Sequence, residues 1–148
     1  MKLKYEAATV ADIEVLFGFN KALIDSYEDS SAIDYDEVLA WVRRKLEKRL
    51  YEYSRILCDG KLAGYIRVSE GGNEVELDDL YIISEYRGKG IGSAVLKGCV
   101  EKSDKPIFFY VFKKNTRAIA LYERLGFVVD EKVGETRYIM RSMRTGRV

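Results

Sequence analysis

Apolar residues recur near helical spacing at Val10, Ile13, Leu16, Phe17 and Leu23. They predict a first helix over about 10–27, with Thr9 as its cap. A polar loop, EDSSAIDYD, follows. Asp34 then starts a second helix over about 35–48, with Val38, Leu39, Trp41, Val42 and Leu46 toward a core and its charges on the opposite side. After that the period changes. YEYSRILC (51–58) and KLAGYIRVSE (61–70) read as strands joined by an Asp59-Gly60 turn. Gly71-Gly72-Asn73 turns into a third strand, EVELDDLYII (74–83). A glycine-rich loop leads to a helix over about 91–103, and Pro106 opens PIFFYVF, a strand of buried type. NTRAIALYERLGF holds a short helix that ends at Gly126, and two strands close the pattern at about 127–133 and 136–143. The predicted order is ααβββαβαββ. A meander followed by a β-α-β crossover makes an α/β (α+β) fold with a mixed central sheet and helices on both faces.

The length, 148 residues, fits a single domain over 1–148, and 47% hydrophobic residues supply a core. The 25 basic and 24 acidic side chains nearly cancel, so no overall charge draws the protein to nucleic acid or to an anionic membrane. No apolar run approaches the ~20 residues that span a bilayer. The start, MKLKYEAATVAD, lacks the apolar core of a signal peptide, so a cytoplasmic protein is expected. Cys58 and Cys99 form no CxxC pair and read as reduced thiols. Histidine is absent, which excludes Ser-His-Asp and Cys-His catalysis and most zinc sites. Proton transfer must therefore use carboxylates, Tyr, Lys, Cys or water.

The stretch YRGKGIGS (86–93) lies between a strand and a helix start. Free N–H groups and the helix dipole meet there, and Gly88, Gly90 and Gly92 let a ligand come close to the backbone. Arg87 and Lys89 add positive charge. This is the composition of a phosphate or pyrophosphate site. A Walker A loop fails because Gly90, not Ser or Thr, follows Lys89. The dinucleotide fingerprint fails because its last glycine is replaced by Ser93 or Val95, depending on the start.

Arg87-Gly88-Lys89-Gly90-Ile91-Gly92 instead resembles the cofactor motif of the GNAT superfamily of N-acetyltransferases: Arg or Gln, two residues, Gly, one residue, Gly or Ala. Residues 115–127, NTRAIALYERLGF, are similar to that family's later helix signature. The two motifs occur in the family's order, and the predicted elements extend the likeness along the whole chain. The resemblance implies the acyl-CoA N-acyltransferase fold, acetyl-CoA as cosubstrate and an amine-bearing acceptor, with no metal. It implies that the amides of Gly88, Lys89, Gly90, Ile91, Gly92 and Ser93 hold the pyrophosphate beside Arg87. It further implies that Leu80, Tyr81 and Ile82 lend backbone groups to the pantetheine arm, and that Asn115 reaches the cofactor.

Tyr122 resembles the family's tyrosine that protonates the departing thiolate. A phenol of ordinary pKa near ~10 is protonated at neutral pH and can donate. Glu76 matches a glutamate that some members use as base, and Asp78 lies on the same strand face. The proton path is left open between these two, directly or through water. Asp79 points the other way unless a bulge intervenes. The chain departs from the family at Tyr110, where other members carry a glutamate, and at Ser84, commonly proline. The loop between the first two helices borders the acceptor site in the family, and here it carries Glu28, Asp29, Asp34 and Asp36, which suit a cationic acceptor. Many members dimerise through their last strands, so a homodimer stays open. A non-catalytic acyl-CoA sensor of the same fold and a nucleotide- or phosphate-binding module are the competing functions.

Overall fold

The computed structural model describes residues 1–142. Its seven strands and four α-helices follow the order β1 (Leu3–Ala7), α1 (Ile13–Tyr27), α2 (Tyr35–Lys48), β2 (Tyr53–Cys58), β3 (Lys61–Gly71), β4 (Glu74–Ile82), α3 (Ile91–Lys102), β5 (Ile107–Phe112), α4 (Thr116–Arg124), β6 (Phe127–Val133) and β7 (Arg137–Ser142). The strand order in the sheet is β1-β2-β3-β4-β5-β7-β6, with β4 and β5 parallel and β1–β2, β2–β3, β5–β7 and β6–β7 antiparallel. The sheet is therefore mixed, as the meander and crossover predict. One element corrects the predicted order: a strand, β1, precedes α1. Four of its five residues are exposed, so it carries no buried alternation for a sequence pattern to reveal.

The chain forms two compact units, Met1–Arg67 with Asp79–Glu85, and Val68–Asp78 with Tyr86–Val148. In the first, Ile13, Leu16 and Ile24 of α1 and Val42 and Leu46 of α2 meet Tyr53 and Tyr65 in a buried core. The α1 helix begins later than predicted, after a 3-10 turn over Val10–Asp12. Asp34 caps α2 by accepting from the Glu37 N–H at 3.2 Å. Acidic Asp36 and Glu37 lie in its first turn and Lys45 and Lys48 in its last, each sign matched to the helix dipole. Arg43 binds Glu14 through two bonds, 2.6 and 3.2 Å, tying α2 to α1. Val10 and Trp41, expected to face a core, are exposed.

In the second unit, Ile107, Phe109 and Val111 of β5 turn alternate side chains into a core with Val75, Leu77, Ile91, Val95 and Leu96 buried. The parallel β4–β5 register comprises Val75↔Ile107 and Glu76↔Phe108. Pro106, at the head of β5, uses its carbonyl to accept from the Val75 N–H at 2.9 Å. The β6–β7 hairpin places β7 beside β5, and Arg141 on β7 binds Glu74, Asp130 and Glu131.

Candidate functional site

The glycine loop follows a 3-10 turn over Ser84–Tyr86 and ends at Gly90, which occupies the N-cap of α3. Gly88 has φ 76° and Gly90 φ 81°, the left-handed region where a side chain is strained. A Cβ at either glycine would meet nothing within 4 Å, so the glycines serve the backbone path and leave open space above it. Gly90 has no side-chain oxygen to accept from the helix start, and the first turn of α3 carries no acidic residue. Its leading N–H groups thus keep their positive partial charge without an internal carboxylate to offset it. Ile91, 2% exposed, anchors the turn in the core, while Arg87, Gly88, Lys89 and Gly90 are exposed. The Lys89 ammonium lies 5.6 Å from the Tyr86 ring centroid. Together these groups leave an open, positively charged turn at the start of α3, a setting that favours an anion.

Asn115 caps α4, its Oδ1 accepting from the Ala118 N–H at 3.3 Å. The helix-cap role is thus present, and it commits the side-chain oxygen but not the amide nitrogen. On the same helix, Tyr122 packs edge-on against Phe109, with ring centroids 4.6 Å apart and planes at 61°. Phe109 in turn contacts Phe127 at 4.8 Å. These rings fix the phenol's position, and burial pushes its pKa above the ordinary phenol value. Glu76 and Asp78 are half-buried on one face of β4, and Val75 and Leu77 are buried on the other. The alternation that pairs the two carboxylates is intact.

Leu80, Tyr81 and Ile82 belong to the first unit. The Tyr81 ring stacks on Phe19 at 4.5 Å and lies parallel to Tyr65 at 6.4 Å. The Ile83 N–H donates to the Ala63 carbonyl at 2.8 Å. Gly64 faces the Tyr81 carbonyl so closely that a Cβ there would stand 2.0 Å from its oxygen. Tyr81 and Ile83 therefore turn their backbone groups toward β3, and by alternation Leu80 and Ile82 turn theirs away from it.

The partners of Asp79 are not legible in the sequence. Asp79 is buried and has φ 50°, the conformation of the leading residue in one class of strand bulge. Its carboxylate accepts from the Tyr53 hydroxyl and, at 3.4 Å, from the Asn20 amide, and lies 3.7 Å from the Lys45 ammonium. These partners sit 26 or more positions away in sequence, and no local pattern announces them. In the acidic segment after α1, Asp34 serves as the α2 cap and Asp29 accepts from Ser31. Glu28 Oε1 is buried with no hydrogen-bond partner among the described residues.

Among the described residues, no cluster of three or more His, Cys, Asp or Glu side chains is arranged to hold a metal ion. None of their helices is long and apolar enough to cross a membrane.

The mycothiol acetyltransferase of Corynebacterium efficiens is 34% identical over 84 residues, 51% of this chain and 28% of that protein. The spermine/spermidine N(1)-acetyltransferase of Bacillus subtilis is 38% identical over 58 residues, 36% of this chain and 38% of that protein. The matches thus span well under half the length of these curated relatives. The crystal structure of the PaiA N-acetyltransferase from Thermoplasma acidophilum in complex with coenzyme A shares the fold. It has a TM-score of 0.68 at 23% identity and covers 96% of this chain and 99% of that one. The model of the acetyltransferase (GNAT) family matches residues 17–127. With the glycine loop, the later helix and the mixed sheet all inside or beside that span, the chain belongs to the acetyltransferase (GNAT) family.

Proposed function

We propose that the chain works as one acetyltransferase domain, moving the acetyl group of acetyl-CoA directly to a primary amine on a cationic acceptor. The observation that carries this reading is the uncapped start of α3, where Gly88 and Gly90 hold left-handed backbone under open space. The amides of Gly88 to Ser93, with Arg87 and Lys89, take the pyrophosphate. The backbone of Leu80–Ile82 pairs with the amide-bearing pantetheine arm as one strand pairs with another. The Asn115 amide nitrogen donates to the same cosubstrate.

The chemistry then needs three things. The acceptor arrives as an ammonium and must lose a proton, which passes to Glu76 or Asp78, directly or through water. The attack puts negative charge on the thioester oxygen, and N–H groups of the Leu80–Ile82 stretch stabilise it. The leaving sulfur takes a proton from Tyr122, and the phenol is restored by the second proton that the attacking nitrogen sheds as the amide forms. No covalent enzyme intermediate is required. For the acceptor, the unpartnered Glu28 oxygen and its acidic neighbours favour an amine with further positive charge. Spermine and spermidine, which the Bacillus subtilis relative is named for, are the first compounds to screen. A cytoplasmic setting suits the two free thiols, Cys58 and Cys99.

The test is a calorimetric titration with acetyl-CoA, CoA and ATP, with Gly90→Glu run beside the wild type. Glutamate adds strain at φ 81° and places a carboxylate where the diphosphate belongs. Binding of both CoA species by the wild type, lost in Gly90→Glu, is the expected result. Tighter binding of ATP than of CoA would overturn the reading.

A further inference from the structure

Asp79 places a carboxylate in the interior. Val75 and Leu77 precede it on the buried face of β4, and its own side chain is 6% exposed. A buried carboxylate is costly unless it is paired and hydrogen-bonded. A left-handed non-glycine residue adds backbone strain. Such costs persist only where the surroundings over-determine the conformation. Here three elements converge on one oxygen, Oδ2: Asn20 from α1, Lys45 from α2 and Tyr53 from β2. The Asn20 amide is itself held by the Leu16 carbonyl at 2.9 Å, and Tyr53 is 1% exposed. The clamp grips the backbone one residue before Leu80.

Beyond the clamp the strand is fixed again, by the Tyr81 ring between Phe19 and Tyr65 and by the Ile83–Ala63 bond. Leu80 and Ile82 thus lie on a short span secured at both ends, with their backbone groups turned away from β3. We infer that Asp79 is a positioning residue: its clamp by Tyr53, Lys45 and Asn20 sets the direction of the Leu80 and Ile82 amides that polarise the thioester carbonyl. This rests on the cosubstrate role proposed above for Leu80–Ile82. The charge is explained by what it holds, since an apolar side chain could fill the volume but could not bind three polar groups and a left-handed turn in place.

Isotope-edited infrared spectroscopy reads the effect without any acceptor. Acetyl-CoA labelled at the thioester carbonyl is bound to wild type, Tyr53→Phe, Asp79→Ala and Asp79→Asn, with CoA affinity measured in parallel. In the wild type the bound carbonyl band falls below its free frequency. Tyr53→Phe removes one oxygen atom, so it tests the clamp even where Asp79→Ala does not fold. Both variants are expected to lose most of the downshift while CoA affinity stays within about threefold. Asp79→Asn, which tolerates the left-handed turn and can accept from Tyr53, recovers part of it. An unchanged downshift in Tyr53→Phe and Asp79→Ala would overturn the inference and leave the acetyltransferase reading intact, as would a wild type that binds acetyl-CoA with no shift. A wild type that binds no CoA would remove the acetyltransferase reading, and the inference with it.

Discussion

Burial holds Tyr122 in its protonated form. Desolvation penalises the phenolate, so the proton is retained beyond the ordinary phenol pKa near ~10. Through the neutral range the hydroxyl is a donor, and it begins to fail only on the alkaline side of that value. Tyr122→Phe keeps the ring against Phe109 and removes only the donor. It is expected to lower kcat about 10²-fold or more, with CoA affinity unchanged, in a steady-state assay with the first active amine. The wild-type kcat should show no acid-loss limb below about pH 10. A kcat within twofold of wild type would assign the leaving-group proton elsewhere and favour a domain that binds acyl-CoA without using this tyrosine. The glycine loop and the short helix α4 were legible in the chain because their demands are local: glycine where φ is positive, and a short patterned helix. The Asp79 clamp was not legible, because Asn20, Lys45 and Tyr53 reach it only after α1, α2 and β2 have folded around it.

At the scale of elements, the helices and strands that bury one face announced themselves, and the errors fall where a face is not buried. The β1 edge strand carries exposed Tyr5 and Ala7, so neither alternation nor a helical stripe marks it. Trp41 shares a helical stripe with Val38 and Val42, yet it is exposed. Gly64 shows how tightly two elements can constrain one position without a local sign. It lies in mid-strand, where glycine weakens pairing, beside a register shift between Ile56 and Leu57 in the β2–β3 ladder. A Cβ would meet the Tyr81 carbonyl oxygen at 2.0 Å, its carbon at 3.1 Å and the Ile82 Cα at 3.2 Å. All three are backbone atoms, so no rotamer change relieves them, and β3 must move away from β4. Gly64→Ala is expected to destabilise the fold by about 1–3 kcal/mol or more, overpacking against backbone rather than side chain. It should also weaken acetyl-CoA binding, because the Leu80–Ile82 stretch would shift with Tyr81. A urea midpoint equal to wild type would show that the strands yield without cost.

Over the whole molecule, 25 basic groups against 24 acidic ones leave little net charge to make stability depend on pH near neutrality. The dependence comes from individual buried groups. On the acid side stands Asp12. Burial alone would raise its pKa, but the Tyr65 hydroxyl at 2.6 Å, the Thr9 N–H at 2.8 Å and Arg55 outweigh that and hold it below the ordinary value. A depressed carboxylate contributes stability above its unfolded pKa near ~3.9, and that contribution is lost as pH falls through the folded value. On the alkaline side stand three neutral acids, Cys99, Tyr65 and Tyr122. Burial raises all three, and the Asp12 carboxylate raises Tyr65 further. Each binds its proton more tightly folded than unfolded. Their contribution is complete below the unfolded values, about 8.5 for Cys and about 10 for Tyr, and is lost as pH rises through the folded ones. The urea midpoint should therefore be flat between about pH 5 and 8, then fall on both sides. Tyr65→Phe separates the sources. It removes a buried hydrogen bond to a charged group, so at pH 7 the variant should be less stable by about 1.5–3 kcal/mol. It also removes one of the three alkaline titrations, so above about pH 10 its stability should fall less steeply than that of wild type, and the two curves converge. Parallel curves across that range would show that the Tyr65–Asp12 pair does not set the alkaline limit.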